Sequence, residues 1–398
     1  MTIHTTRRSA LLGGLALPFA SRLAQAAEGP IRLGSLSPLT GAGGTYGPSM
    51  VKVVHAVADA VNAAGGVLGR KIEIVGADSE TNPDSAVRGA RKLIDVDKVC
   101  AVIGTWASAV TTAVAPLCWE NKVMLFTVSG ADSITQLPHK GFIIRTQPNT
   151  HLQGMRAGDF MAAHGARRVF TLAAQTPFAV DGYKVLGDAL AAHGAQTVGQ
   201  VIYDQAKTSF RSEVDEAMKA KPDWLYLNSY QPDLAVLLRE LYRAGYEGRK
   251  FTYGYAANAK LLASVPANVS EGLVSFQPSP DVGSPAYAAV KAILGHEPDP
   301  YSCQVYDHVS LAALALAKAG STGADGQAIH DHVRDIGGPD GEKVNSAVDG
   351  LKLLAAGRAV NYEGASGPCE FTASGDIKGC KFRFDVIEKG KQRVLEIS

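Results

Sequence analysis

Short apolar β-rich runs alternate with helix-periodic stretches through most of this chain, and that alternation restricts the fold more than any other feature. IRLGSLS (31–37), KIEIVGAD (71–78), CAVIG (100–104), KVMLFTV (122–128), RVFTLAA (168–174), TVGQVIY (197–203), WLYLNS (224–229) and FTYGY (251–255) read as strands. Between them, 48–64 sets Val51, Val54, Ala58 and Val61 on one helical face. A second helix over 83–95 opens on Asn82-Pro83, and a third over 232–244 starts with Pro232 and stops before Gly245. Strand–helix repetition predicts an α/β fold, with parallel sheets covered by helices on both faces.

The alternation breaks twice, at RTQPNTHLQG (145–154) and at VSFQPSPDVGSP (274–285), both rich in proline and polar residues. These breaks read as crossings between two lobes, and 398 residues are enough for two or three domains. After 285 the spacing predicts helices over 286–295, 304–319, 326–336 and 344–357, then a closing CEF…GCKFRFDVIE hairpin. Two α/β lobes sharing several crossings leave a cleft between them, which suits a small molecule because hinge closure can bury it.

Residues 1–26 do not belong to that fold. Arg7 and Arg8 precede a short apolar run from Ala10 to Ala20, and Ala24-Gln25-Ala26 is a small-x-small cleavage site. This is the pattern of an export leader, by the twin-arginine or the general secretion route. The apolar run is shorter than the roughly 18–20 residues of a membrane span. The chain carries 39 basic and 38 acidic residues, and three of the basic ones, Arg7, Arg8 and Arg22, lie in the leader. Such a balance argues against nucleic acid as a partner. Export also makes disulfides possible among Cys100, Cys118, Cys303, Cys369 and Cys380. Cys369 and Cys380 flank what reads as a hairpin and are expected to bridge. Cys100 with Cys118 is a second possibility, and Cys303 is left as a buried thiol.

Three strand ends carry the candidate chemistry. SPLTGAGGTYG (37–47) could present backbone amides and Tyr46 to a ligand. Its spacing does not fit G-x-G-x-x-G, because Tyr46 stands where the third glycine belongs. In GTWASAVTTAV (104–114), Trp106 offers an aromatic wall, and Ser108 can cap a helix or meet an anion. FTVSGADS (126–133) places Gly130, Ala131 and Asp132 at a third strand end, where α/β sheets meet their ligands. His330-Asp331-His332 has the wrong spacing for one helical face, so no metal site is expected. No GxSxG or triad spacing occurs, so no enzyme is expected and no cofactor is implied.

IRLGSLSPLTG…YG, NAAGGVLGR (62–70), VIGTWAS (102–108) and SYQPDLAVLLRELYRAG (229–245) together resemble the branched-chain amino-acid-binding proteins, the type I periplasmic solute-binding components of ABC importers. The resemblance covers about residues 30–385. It implies two doubly wound parallel-sheet lobes joined by three crossings, with the ligand cleft between them. Lobe I is expected from 28–147 plus 280–360, and lobe II from 148–276 plus 361–398. It implies that Ser108 holds a ligand carboxylate, that Gly130, Ala131 and Asp132 form a second contact loop, and that Tyr46, Phe178 and Tyr230 supply aromatic contacts. Two positions depart from the family pattern. The acidic residue that binds a ligand amine is replaced by Tyr255, and the hydroxyl of the second loop by Asp132. The family's first-lobe cysteine bridge is missing too, since Ala107 stands at one of its positions. The function implied is an exported, periplasmic, monomeric binding protein that passes a small carboxylate, an amino acid or a keto or aromatic acid, to an inner-membrane ABC permease. A periplasmic sensor that shows its closed form to a receptor is the alternative.

Overall fold

The computed structural model describes residues 29–205, 207–320 and 324–398. The expected leader lies outside the described residues. Strands Ile31–Ser37 (β1), Ile72–Asp78 (β2), Ala101–Thr105 (β3), Met124–Thr127 (β4) and Ile143–Arg145 (β5) form a first sheet in the order β2-β1-β3-β4-β5. Every pairing in it is parallel. Each residue of β3 and β4 is buried, as expected of strands covered by helices on both faces.

Arg168–Ala174 (β6), Gln196–Tyr203 (β7), Trp224–Asn228 (β8), Arg249–Tyr253 (β9) and Leu273–Ser279 (β10) repeat that winding in the order β7-β6-β8-β9-β10. Glu342–Val344 (β11) and Val360–Tyr362 (β12) make a small parallel pair. Lys381–Glu388 (β13) and Lys391–Ile397 (β14) then extend the second sheet antiparallel from β10. β14 is an exposed edge strand that carries Lys391, Arg393 and Glu396, charges that discourage edge pairing. In each sheet the winding reverses beside the first strand, at β1 and at β6. The loops leaving the flanking strands part there, and a crevice opens at the strand C-termini.

The chain passes between the lobes three times: after β5, after β10 and just before β13. The helices Pro285–Leu294 and Pro300–Ala319 pack with the first sheet, as do Tyr362, Ala365, Cys369, Phe371 and Ile377. Asp307, fully buried on the long helix, anchors the approach to the third crossing. Its carboxylate accepts from the Tyr362 hydroxyl (2.9 Å) and from the Ala365 and Ser366 amides (2.8 and 2.9 Å). Among the described residues, no helix is long and apolar enough to cross a membrane.

Three expectations are corrected here. The break at 274–285 begins as a strand, β10, whose penultimate residue is Pro278; the crossing follows it. The terminal hairpin is β13–β14, turning at Lys389-Gly390, and not the segment between Cys369 and Cys380. All five cysteines are free thiols. The Cys369–Cys380 bridge fails for a topological reason. Residues 372–376 turn tightly, and the Gly375 carbonyl accepts the Arg145 amide at the end of β5. Cys369 therefore stays in the first core, while Cys380 has crossed to pack against the second. Cys100 and Cys118 also remain unbridged, and burial pushes both thiols up to about 12. Removing a native disulfide typically costs about 2–5 kcal/mol. The melting temperature is therefore expected to be unchanged by a reductant. A drop on adding dithiothreitol would restore a bridge.

Candidate functional site

The loop after β1 and the loop after β3 meet at two aromatic rings. A Cβ on Gly43 would come within 2.7 Å of the Trp106 ring, so glycine there lets the first loop lie against the indole. Tyr46 stacks on Trp106 with ring centroids 5.8 Å apart, and its hydroxyl donates to the Tyr255 carbonyl of the other lobe at 2.9 Å. Trp106 is nearly buried and is the centre of the aromatic cluster. Tyr301 and Tyr255 meet it edge-on, both at 5.8 Å, and Tyr230 lies 5.6 Å away. Ser129 fixes the indole's backbone by donating to the Trp106 carbonyl at 2.9 Å.

Ser108 opens the helix Ser108–Glu120 beside that wall. Its Oγ accepts from the Ala131 amide at 3.2 Å, which leaves its own proton for a ligand. The first turn has no acidic residue, so the amides of the helix N-terminus keep their positive potential. Gly130 faces the second lobe, where a Cβ would come within 2.6 Å of the Phe178 ring. The next two residues turn away. Ala131 is fully buried, with its carbonyl taken by Arg145. Asp132, expected in the cleft, instead accepts from the His151 amide in the first turn of the helix Thr150–Ala163 at 3.1 Å.

From the second lobe come Phe178, Tyr230, Tyr253 and Tyr255. Phe178 stands edge-on to Tyr253 at 4.9 Å, and Tyr253 stacks on Tyr255 at 5.3 Å. Burial pushes the phenols of Tyr253, Tyr255 and Tyr301 well above their ordinary range, so they stay neutral donors. The Tyr255 hydroxyl donates to Asn228 Oδ1 at 3.0 Å, and the Tyr203 hydroxyl to Ser229 at 2.6 Å. Gln147, on the first crossing, accepts from Gln304 at 2.8 Å.

These groups line a cleft between the lobes. Of the expected site residues, Trp106, Ser108, Gly130, Phe178, Tyr230 and Tyr255 line it; Tyr46 backs the Trp106 wall, and Ala131 and Asp132 lie outside it. Sequence reasoning missed Gln147, Gln153, Asn228, Ser229, Tyr253 and Tyr301. Asn228, Ser229 and Tyr253 sit at the C-terminal ends of β8 and β9, so the strand-end rule that found Gly130 could have found them. Tyr301 follows the Asp299-Pro300 cap of a helix whose orientation no local pattern reveals.

The chemical character of the lining is uniform. Among the described residues, no Asp, Glu, Lys, Arg or His side chain lines the cleft. It offers aromatic faces, amide and hydroxyl groups, and one helix N-terminus. It holds no nucleophile–base pair, and no group of three or more His, Cys, Asp or Glu is placed for a metal among the described residues. His330 stacks on Phe142 at 4.6 Å and bonds the Lys140 carbonyl, a packing role.

Comparison with known proteins agrees with the fold. The periplasmic binding protein family model matches residues 30–390. A leucine-, isoleucine-, valine-, threonine- and alanine-binding protein of Pseudomonas aeruginosa is 25% identical over 397 residues, covering 96% of each chain. A leucine-binding protein of Thermotoga maritima superposes with a TM-score of 0.78 at 23% identity, covering 92% of this chain and 98% of that one. A solute-binding protein of an ABC transporter from R. palustris, solved with benzoate, gives 0.74 at 18%, covering 93% and 96%. The resemblance read from the strand-end motifs thus holds over the whole two-lobed body, and the chain belongs to the periplasmic binding protein family.

Proposed function

We propose that this protein captures a small carboxylic acid without an ammonium group, an aromatic or 2-keto acid, and delivers it from the periplasm to an inner-membrane ABC permease. The observation that carries this reading is the uncharged cleft. An α-ammonium buried there would have no carboxylate partner, and burying an unpaired charge is costly. A carboxylate fares differently, because the N-terminus of Ser108–Glu120 and the Ser108 hydroxyl supply donors and a favourable dipole. Flat aromatic walls suit a ring, with stacking and edge contacts from Trp106, Phe178 and Tyr255.

Of the relatives named above, two are amino-acid-binding proteins and one was solved with benzoate, so both ligand classes occur on this fold. The two lobes move about the three crossings and close over the ligand. Contacts across the cleft mouth support a closed form. Tyr46 reaches Tyr255, and Asp181 of the second lobe accepts from both the amide and the hydroxyl of Ser133 (3.0 and 2.8 Å).

Thermal unfolding against leucine, phenylalanine, benzoate, phenylpyruvate and 4-methyl-2-oxopentanoate tests the reading. A ligand at a hundred times its dissociation constant adds about 2.7 kcal/mol to the folded state. Shifts are expected with acids that lack an amine and not with the amino acids. A shift with leucine or phenylalanine alone refutes the proposal.

A further inference from the structure

We propose that the cleft has a second polar subsite, formed by Asn228 of the second lobe. It receives a neutral hydrogen-bond acceptor, a hydroxyl or carbonyl oxygen, on the end of the ligand away from its carboxylate. This deepens the preceding reading and rests on it.

Asn228 is the last residue of β8, is 2% exposed, and lines the cleft. The Tyr255 phenol is kept protonated by burial, and its proton goes to Asn228 Oδ1 at 3.0 Å. The opposite end of the amide, Nδ2, is buried and has no partner among the described residues. A buried N–H without an acceptor is rare in native structures, because it has lost its water and gained nothing. A ligand oxygen placed there removes that cost.

The subsite's position defines the ligand's shape. Ser108 belongs to the first lobe and Asn228 to the second, so a ligand that touches both spans the cleft. Its carboxylate lies at the helix N-terminus, its middle lies between the aromatic walls, and its far oxygen meets Nδ2. The far group is neutral, because among the described residues no cationic side chain lines the cleft and a second carboxylate would be buried without a counter-charge. The chemistry is that of a hydroxylated or oxo-substituted aromatic acid.

Isothermal titration of the purified protein with benzoate, 3-hydroxybenzoate and 4-hydroxybenzoate tests the subsite. At least one hydroxy acid is expected to bind about tenfold tighter than benzoate or better, since a site that hydrogen-bonds a hydroxyl rejects the analogue lacking it. Asn228→Leu is expected to remove that preference, so that the three acids bind it with similar affinity. Equal binding of all three acids by the wild-type protein overturns the subsite. So does an Asn228→Leu protein that keeps the preference, including one that weakens all three acids by the same factor. If Asn228→Leu fails to fold, Asn228→Leu/Tyr255→Phe also removes the phenol that would be left without an acceptor, and it too is expected to lose the preference. Failure of the underlying reading looks different: none of the three acids binds, and no comparison between them arises.

Discussion

Replacing Arg145 with methionine is expected to lower the unfolding free energy by roughly 3–5 kcal/mol, the cost of breaking a buried ion pair from one side. Arg145 ends β5 with no exposed surface, immediately before the first crossing. Its Nε donates to Asp376 Oδ1 at 2.7 Å, and Nη2 bonds the same carboxylate and Thr135 Oγ1 (2.9 Å). Nη1 donates to the Ala131 carbonyl. One side chain therefore joins the loop after β4, the end of β5 and the turn that leads to the third crossing. Burial pulls the guanidinium's pKa down, and the Asp376 charge opposes that pull. Methionine keeps much of the apolar volume and leaves the Ala131 carbonyl and the Asp376 carboxylate without their donor. Urea denaturation of the single variants and of Arg145→Met/Asp376→Asn checks it. The double variant is expected to be less damaged than the sum of the singles, since Asp376 loses its charge when its partner is gone. Strict additivity would mean that the pair does not act as a unit.

Much of this architecture was legible in the sequence, for reasons that differ by element. RVFTLAA reads as a strand and forms one over the same residues, because a continuous β-branched and apolar run fits a sheet covered on both faces. β10 was hidden by its prolines, which argue against a central strand until the sheet shows that Pro278 stands where the chain is leaving it. β5 is three residues long, too short for any periodicity. In the site, Phe178 and Tyr230 came only from the family resemblance, whereas the strand-end reading put Trp106, Ser108 and Gly130 near the cleft because each lies within a few residues of a parallel strand's C-terminal end. Asp132 shares that address and yet misses the cleft. The chain turns into the short helix Ser133–Gln136 there, and the free amide of His151 captures the carboxylate. Which way a loop side chain points is decided by such a neighbour from a distant segment. The same limit hid the uncharged character of the cleft, which follows from Asp132 turning away and is not written in any one motif.

Trp106→Ala is expected to weaken an aromatic acid by about a hundredfold or more, because it removes the largest face of the cleft and leaves a cavity. Truncating a packed tryptophan typically costs about 3–5 kcal/mol. The indole does two things at once. It faces the cleft, and it touches Tyr230 and Tyr255 of the other lobe, so its loss weakens both ligand contact and the closed arrangement. The two effects separate by chain shape. If the ring acts by stacking, benzoate loses far more affinity than an aliphatic acid such as 4-methyl-2-oxopentanoate, and Trp106→Phe recovers most of the benzoate affinity. If the indole acts only as a wedge between the lobes, both acids weaken by the same factor, and the ligand-bound variant keeps the larger radius of gyration of an open form in X-ray scattering. The contacts favour stacking. Tyr46 already joins the lobes through its hydroxyl, and Asp181 does so at Ser133, so closure keeps these contacts when the indole is lost, whereas among the described residues no other ring of the first sheet's strand-end loops lines the cleft beside Ser108.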